Sequence, residues 1–260
     1  MLRLSLAMIL FCAQATYACE TPLVFQVGPF FSTTFIIKYW REFANEVARR
    51  SQCKVEIVSS SSYEQYLDTL VTQNGDMFIV PNHYVKAFTQ RGLIPTLISS
   101  KNAQVYVLSR HNIKDKGSHN LIGDTVLVPS QYTRAYLEFE KWLTQEGLQG
   151  KVNFDFNHSH DSAALLMLQG KYSSAVILDG IYQALPPFIQ QKYQATLLKA
   201  KSGATILTKP NADQNTLKAI IHSKNKLNFQ TWKPATLPFQ HNPFSDTFIA
   251  QLISYLEHKK

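Results

Sequence analysis

The sequence predicts an α/β protein with a mostly parallel sheet, and three observations carry that prediction. Short apolar runs alternate with longer amphipathic stretches along most of the chain, the pattern of repeated strand–helix–strand units. At 260 residues, 45% of them hydrophobic, the chain can bury one large core or two modest ones. The 17% charged content with only 10 Gly and 11 Pro excludes a disordered, collagen-like or linker-dominated chain, and no Gly/Ser/Pro-rich stretch divides it.

The elements follow in order. Residues 23–28 form an apolar strand, after which Ser32 can cap a helix. Its stripe of Phe35, Ile36, Tyr39, Trp40, Phe43 and Val47 repeats at helical spacing and faces one way. A strand at 54–59 leads to a second helix that opens at Ser62 and stops at Gly75. Strands follow at 76–80, 104–109, 124–128, 152–156 and 175–178. Between the last three lie helices at 133–146, closed by Gly147, and at 161–168, closed near Gly170. Helices near 213–223 and 245–257 complete the chain, the latter with Phe248, Ile249, Leu252, Ile253 and Leu256 on one face. Two segments echo each other: a polar loop, a helix, a Gly stop and an apolar strand recur at 60–80 and 157–178.

The N-terminus sets the compartment. Arg3, the apolar run 4–12 and the small-x-small site at Thr16–Ala18 make residues 1–18 an export signal; the competing reading is a buried N-terminal helix. No later run reaches the length of a membrane-spanning helix. Cleavage leaves 242 residues and takes the net charge from +8 to +7. It also leaves two cysteines, Cys19 and Cys53, each just before a strand. If those strands are adjacent and parallel, their starts lie about 5 Å apart, within bridging range, and an oxidising compartment favours a disulfide. The rival is a lipid anchor at Cys19, although Thr16 and Tyr17 match a lipobox poorly.

The positive charge favours an acidic partner. Lys and Arg are scattered, with Arg49–Arg50 the only adjacent internal pair, and the aromatics follow helix stripes, so a nucleic-acid surface is not indicated. No dinucleotide-binding, Walker or serine-hydrolase motif occurs. His158 and His160 flank Ser159, but no second ligand cluster follows, which leaves a metal site without its remaining ligands.

Four segments in order carry a family resemblance: YEQYLDTLVTQNGDMFIVPNHYVKAF, HNIKDKGSHNLIGDTVLVP, YTRAYLEFEKWLTQEGL and HSHDSAALLMLQGKYSSAVI. Together they resemble the phosphonate/phosphate/phosphite-type substrate-binding proteins of ABC transporters, which are type II periplasmic binding proteins. The resemblance spans about 22–210 and implies a two-lobed clamp of mixed, mostly parallel sheets flanked by helices. One lobe would hold 19–100 with 205–260, the other 101–204, with crossings near 101–104 and 201–205 acting as a hinge. Ligand would sit between the lobes at helix N-termini, whose unpaired N–H groups and partial positive charge receive anions.

The resemblance also implies a set of contacts. Tyr63 and Tyr84 match pocket tyrosines, with packing as the alternative role of each, and Ser62 opens the helix that carries Tyr63. Where the family places a Ser-Thr-Ser-Gly-like turn, this chain has Tyr132-Thr133-Arg134-Ala135. Thr133 keeps one hydroxyl, and Arg134 adds a fork suited to carboxylate or phosphate, or else a solvated helix face. His160 matches the family's histidine, with helix capping by Ser159 or Asp161 as the plainer reading. Asp179 stands where some relatives pair with a ligand amine, or else forms an Asp-Gly turn. The implied protein is a periplasmic monomer without catalysis or cofactor that passes a small anionic solute to a membrane permease. A sensory or adaptor module for a receptor, or an enzyme on the same scaffold, is the alternative.

Overall fold

The computed structural model of the chain describes residues 19–99, 103–110, 118–156, 159–227 and 231–235, with 254 and 258. The expected export signal, His158 and almost all of the expected C-terminal helix lie outside these residues.

The chain builds two sheets and revisits the first. It opens with β1 (Leu23–Val27), α1 (Thr33–Ser51), β2 (Val55–Ser59), α2 (Tyr63–Val71), β3 (Met77–Pro81), α3 (Val85–Thr89) and β4 (Ile94–Ser99). Next come β5 (Ala103–Ser109), β6 (Thr125–Leu127), α4 (Arg134–Gln145), β7 (Asn153–Asp155), α5 (His160–Leu168) and β8 (Ser174–Leu178). Helices α6 (Asp179–Ala184) and α7 (Pro187–Lys192) precede β9 (Gln194–Ser202). The chain then returns through β10 (Ala204–Thr208), α8 (Gln214–His222) and β11 (Trp232–Pro234).

One sheet has the order β11-β4-β10-β3-β1-β2, the other β7-β6-β8-β5-β9. In the first, β1 runs parallel to β2 and β3, with α1 and α2 as the crossovers that parallel pairing requires. In the second, β6 runs parallel to β7 and β8, with α4 and α5 in the same roles. Strands β4, β10 and β11 pair antiparallel in the first sheet, and β5 pairs antiparallel with β8 and β9 in the second. The two halves therefore share a plan. The segments that echo in the sequence are the matching pieces α2–β3 and α5–β8.

Local sequence explains the helix starts. Ser62 caps α2 by accepting from Gln65 N at 3.2 Å, while the Gln65 side chain reaches back to Ser61 N at 2.8 Å. Thr133, Ser159 and Asp213 cap α4, α5 and α8 through Tyr136 N, Ser162 N and the N–H groups of Asn215 and Thr216. Gly147 and Gly170 end their helices with φ of +68° and +82°, values that cost a side-chain-bearing residue more than glycine.

Each sheet is covered on both faces. Against one face of the first sheet pack Ile36, Phe43 and Val47 of α1 and Ile220 of α8. Against the other lie Tyr66, Leu67 and Leu70 of α2 with Tyr84 and Phe88. Strand β3 is buried at Met77–Val80, as its unbroken apolar run requires. The second sheet is sandwiched between α4 (Ala135, Phe139, Leu143) and α5 (Ala163, Ala164, Met167).

The parallel pairing of β1 with β2 brings the cysteines together. Leu23 sits opposite Val55, and Cys19 and Cys53 form a disulfide with a Cα–Cα distance of 5.1 Å. A Cys19 sulfur held in that bridge cannot also carry a thioether-linked lipid.

Several elements were not anticipated: β4, β9, β10, β11 and the short helices α3, α6 and α7. Strand β9 reads QATLLKAKS, whose lysines mask its alternation, and Pro95 in β4 discourages a strand reading.

Candidate functional site

A cavity of about 250 Å³ lies where the two halves meet. Its walls are Pro29, Phe31, Ser32 and Thr33 after β1, Ser59–Tyr63 after β2, Pro129 after β6, and Ser159 and Ser162 after β7. All four loops follow the carboxyl ends of parallel strands, the side of an α/β sheet where ligands collect. Nine of the twelve lining residues carry a hydroxyl, and among the described residues none of the lining set is charged.

Three helices, α1, α2 and α5, begin at this cavity. Their first turns aim backbone N–H groups and the positive ends of their dipoles inward. The site can thus attract an anion with hydroxyls and amides alone.

Tyr63 is the most telling side chain. It is only 4% exposed and lines the cavity, yet its hydroxyl is buried without a hydrogen-bond partner. Burial pushes the phenol's pKa far up, so the group remains an O–H donor. Phe30 holds the ring edge-on at 5.9 Å. A buried donor left unpaired costs about 1–3 kcal/mol, so its presence at a cavity wall calls for a partner from outside the chain.

The halves touch directly on either side of the cavity. Tyr84 Oη donates to Tyr132 O at 2.7 Å, and His83 Nε2 lies 3.3 Å from the same oxygen. Elsewhere His160 N donates to Phe30 O at 3.2 Å, and Ser32 N donates to Asp161 Oδ1 and Oδ2 at 2.9 and 3.1 Å. Ser159 Oγ donates to Asp161 Oδ1 at 2.7 Å. Burial pushes the Asp161 carboxyl up, but the bonds from Ser159 and Ser32 outweigh it and hold the pKa below the ordinary value. His83 is pushed down to about 3 by burial and then by the Arg134 charge, against a bond to Tyr132 O. His160 is pushed down to about 4 by burial, against a bond to the Val176 backbone, and its Nδ1 has no partner. Both imidazoles are neutral at pH 7.

Of the residues singled out from sequence, Ser62 and Tyr63 lie on the cavity wall. Tyr84 and His160 stand behind it, in the contacts that join the halves. Thr133 caps α4 and donates to Ser130 O at 2.7 Å. Arg134 is buried and ion-paired with Glu138 one turn along, and is not among the lining residues. Burial lowers its pKa. Asp179 is not brought to the cavity; it starts α6 and accepts from Gly180 N at 2.9 Å. Sequence reasoning did not single out Thr33, Ser59–Ser61, Ser162 or Pro129 as cavity residues. The run of four serines at 59–62 and the internal echo, which pairs Ser62 with Ser159 as helix caps, are the signals that mark them. Among the described residues no cluster of three His, Cys, Asp or Glu side chains could hold a metal ion.

Comparison with known proteins places the chain. The sequence profile of the family described as ABC transporter, phosphonate, periplasmic substrate-binding protein matches residues 25–225. The chain belongs to this family. As a member of the phosphonate-type binding proteins, it captures solute for an ABC transporter. A search of curated proteins returns no match. Among solved structures, PhnD1 from Prochlorococcus marinus in complex with methylphosphonate is 15% identical, covering 91% of this chain and 99% of that one at a TM-score of 0.69. A binding protein component of an ABC phosphonate transporter from Pseudomonas aeruginosa, PA3383, is 9% identical and covers 92% and 99% at 0.70. XAC2383 from Xanthomonas citri bound to ATP is 12% identical and covers 91% and 97% at 0.60. These likenesses establish the two-lobed type II fold for this binding protein. No helix among its described residues is long and apolar enough to cross a membrane.

Proposed function

We propose that this binding protein holds a small oxyanion, phosphonate- or phosphate-like or a small carboxylate, in the hydroxyl-lined cavity. The unpaired buried hydroxyl of Tyr63 carries this reading: it is an unused donor on a residue of the cavity wall, where three helix N-termini converge. Ser62, Tyr63 and the neighbouring serines are the direct contacts, and a volume of about 250 Å³ suits a solute of few heavy atoms with a few waters. Tyr84, Thr133 and His160 position the walls, and Arg134, paired with Glu138, braces the start of α4 behind them.

The protein works as a monomer exported by residues 1–18, without catalysis or cofactor, and delivers its solute to a membrane permease. The lobes divide at 19–100 with 205–260 against 101–204. The crossing near 201–205 acts as one hinge, and Gly203 there packs so tightly that a Cβ would fall 2.4 Å from Asn82 Nδ2. Ligand favours the closed arrangement because only that arrangement presents all three helix ends at once.

Isothermal titration of the mature protein with methylphosphonate, phosphate, phosphite and acetate tests the proposal. Saturable one-to-one binding of at least one of these is expected. No heat and no thermal shift with any of them, on a protein that melts cooperatively, would sink it.

A further inference from the structure

The anion-receptive face already contains one negative charge. Asp161 does not line the cavity, but it bonds two residues that do: its carboxylate accepts from Ser32 N and from Ser159 Oγ. It thereby occupies the N-terminus of α1 while standing in the first turn of α5, so it compensates two of the three helix ends that face the solute. Among the described residues no cation is paired with it; its carboxylate is held by Ser32 and Ser159. What keeps it ionised are hydrogen bonds from Ser159 and Ser32, and its helix neighbour His160 is neutral. Arg134 is balanced by Glu138. The field left over in the cavity is that of roughly one uncompensated helix end plus neutral donors.

We propose that Asp161 sets the charge state of the captured solute: the cavity takes an oxyanion that is singly charged, or still carries a proton, and turns away the fully ionised dianion. The inference rests on the oxyanion reading of the cavity given above and adds to it a selected charge. Two unit charges a few ångströms apart in a partly buried site repel strongly enough to change affinity by well over tenfold. A second solute charge beside Asp161 therefore weakens binding, whereas a proton on the solute relieves the repulsion and can donate to the carboxylate.

The test compares methylphosphonate, which exchanges one charge for two as pH rises, with methanesulfonate, which carries one charge throughout, and sulfate, which carries two. The intact mature protein and its Asp161→Asn variant are titrated calorimetrically. Asparagine keeps an oxygen for Ser32 N while removing the charge, and a thermal melt checks that the variant folds. In the wild type, affinity for methylphosphonate should fall at least fivefold from pH 6 to pH 9, while that for methanesulfonate stays within threefold. This comparison needs no variant. Sulfate should bind the wild type at least tenfold more weakly than singly charged methylphosphonate, and Asp161→Asn should narrow that gap at least tenfold. If the variant weakens all three anions by the same factor, Asp161 only joins the lobes and the charge proposal is overturned. The same holds if wild-type affinity for methylphosphonate is flat with pH. If none of the anions, nor phosphate, phosphite or acetate, binds either protein, the oxyanion reading itself fails and takes this inference with it.

Discussion

Replacing Tyr63 with Phe should move stability and affinity in opposite directions. The ring is 4% exposed and braced by Phe30, contacts that phenylalanine keeps. Only the hydroxyl is lost, and in the ligand-free protein that hydroxyl is buried without a partner. Removing an unsatisfied buried donor recovers part of its desolvation cost, about 1 kcal/mol, which raises the melting midpoint of a chain this size by about 2–4 °C. With solute bound, the same substitution removes a hydrogen bond to a charged oxygen, about 1.5–3 kcal/mol, and weakens binding by about 10- to 150-fold. Differential scanning calorimetry without ligand and titration calorimetry with methylphosphonate, or whichever anion binds, read the two effects on one sample. A ligand-free Tyr63→Phe protein less stable by 1 kcal/mol or more would show that the hydroxyl has a structural partner. An affinity within twofold of wild type would remove Tyr63 from the contact set. Either result refutes the reasoning.

Other outcomes follow from the same geometry. The Cys19–Cys53 bridge closes a loop of sequence separation 34, so a Cys19→Ala/Cys53→Ala variant should lose about 4 kcal/mol and melt about 8–16 °C lower. Intact mass of the oxidised wild type should be two hydrogens below that of the reduced chain, with no acyl groups attached. Thr133→Ala removes the cap of α4 and the bond to Ser130 O, at a cost of about 1–2 kcal/mol in denaturant melts. Acid should destabilise the protein through its buried histidines. Their folded pKa values of about 3 and about 4 lie below the unfolded 6.5, so only the unfolded chain takes up these protons in between. The stability they confer is complete above pH 6.5 and falls towards pH 4 by up to about 1.4 kcal/mol per pH unit for each histidine. Urea melts across that range should show the slope, and His160→Gln should reduce it.

Legibility in the sequence followed the locality of the physics. Helix starts depend on one side chain and three backbone amides, so the starts at Ser62, Thr133 and Asp213 could be placed from spacing, and that of α5 narrowed to Ser159 or Asp161, of which Ser159 is the cap. The cysteines were readable because strand adjacency fixes the distance between strand starts. Strands whose partners lie far away were harder. β10 pairs with β3 across more than a hundred residues, and β4 takes both its partners from beyond residue 203. Part of the cavity was legible too, through the family's matched Tyr63. The serines opposite it, and the reach of Asp161 to Ser32, depend on how the two halves face each other, which no local pattern encodes. Arg134 illustrates the converse: its residue type suits an anion, but Glu138 one helical turn later already supplies one.

The interrupted path of the chain orders the assembly of its two sheets. Strands β5 to β9 form their sheet from one uninterrupted stretch, so that half can complete itself as soon as residue 202 has emerged. The other sheet cannot. Until β10 arrives, β3 lacks a neighbour on one side, and β4 has no partner among the residues that precede it. The N-terminal half must therefore wait, with an open edge and an orphan strand exposed, for a segment made some hundred residues later. Among the described residues, β10 and then β11 complete that sheet, so its stability is available only once the last quarter of the chain is in place.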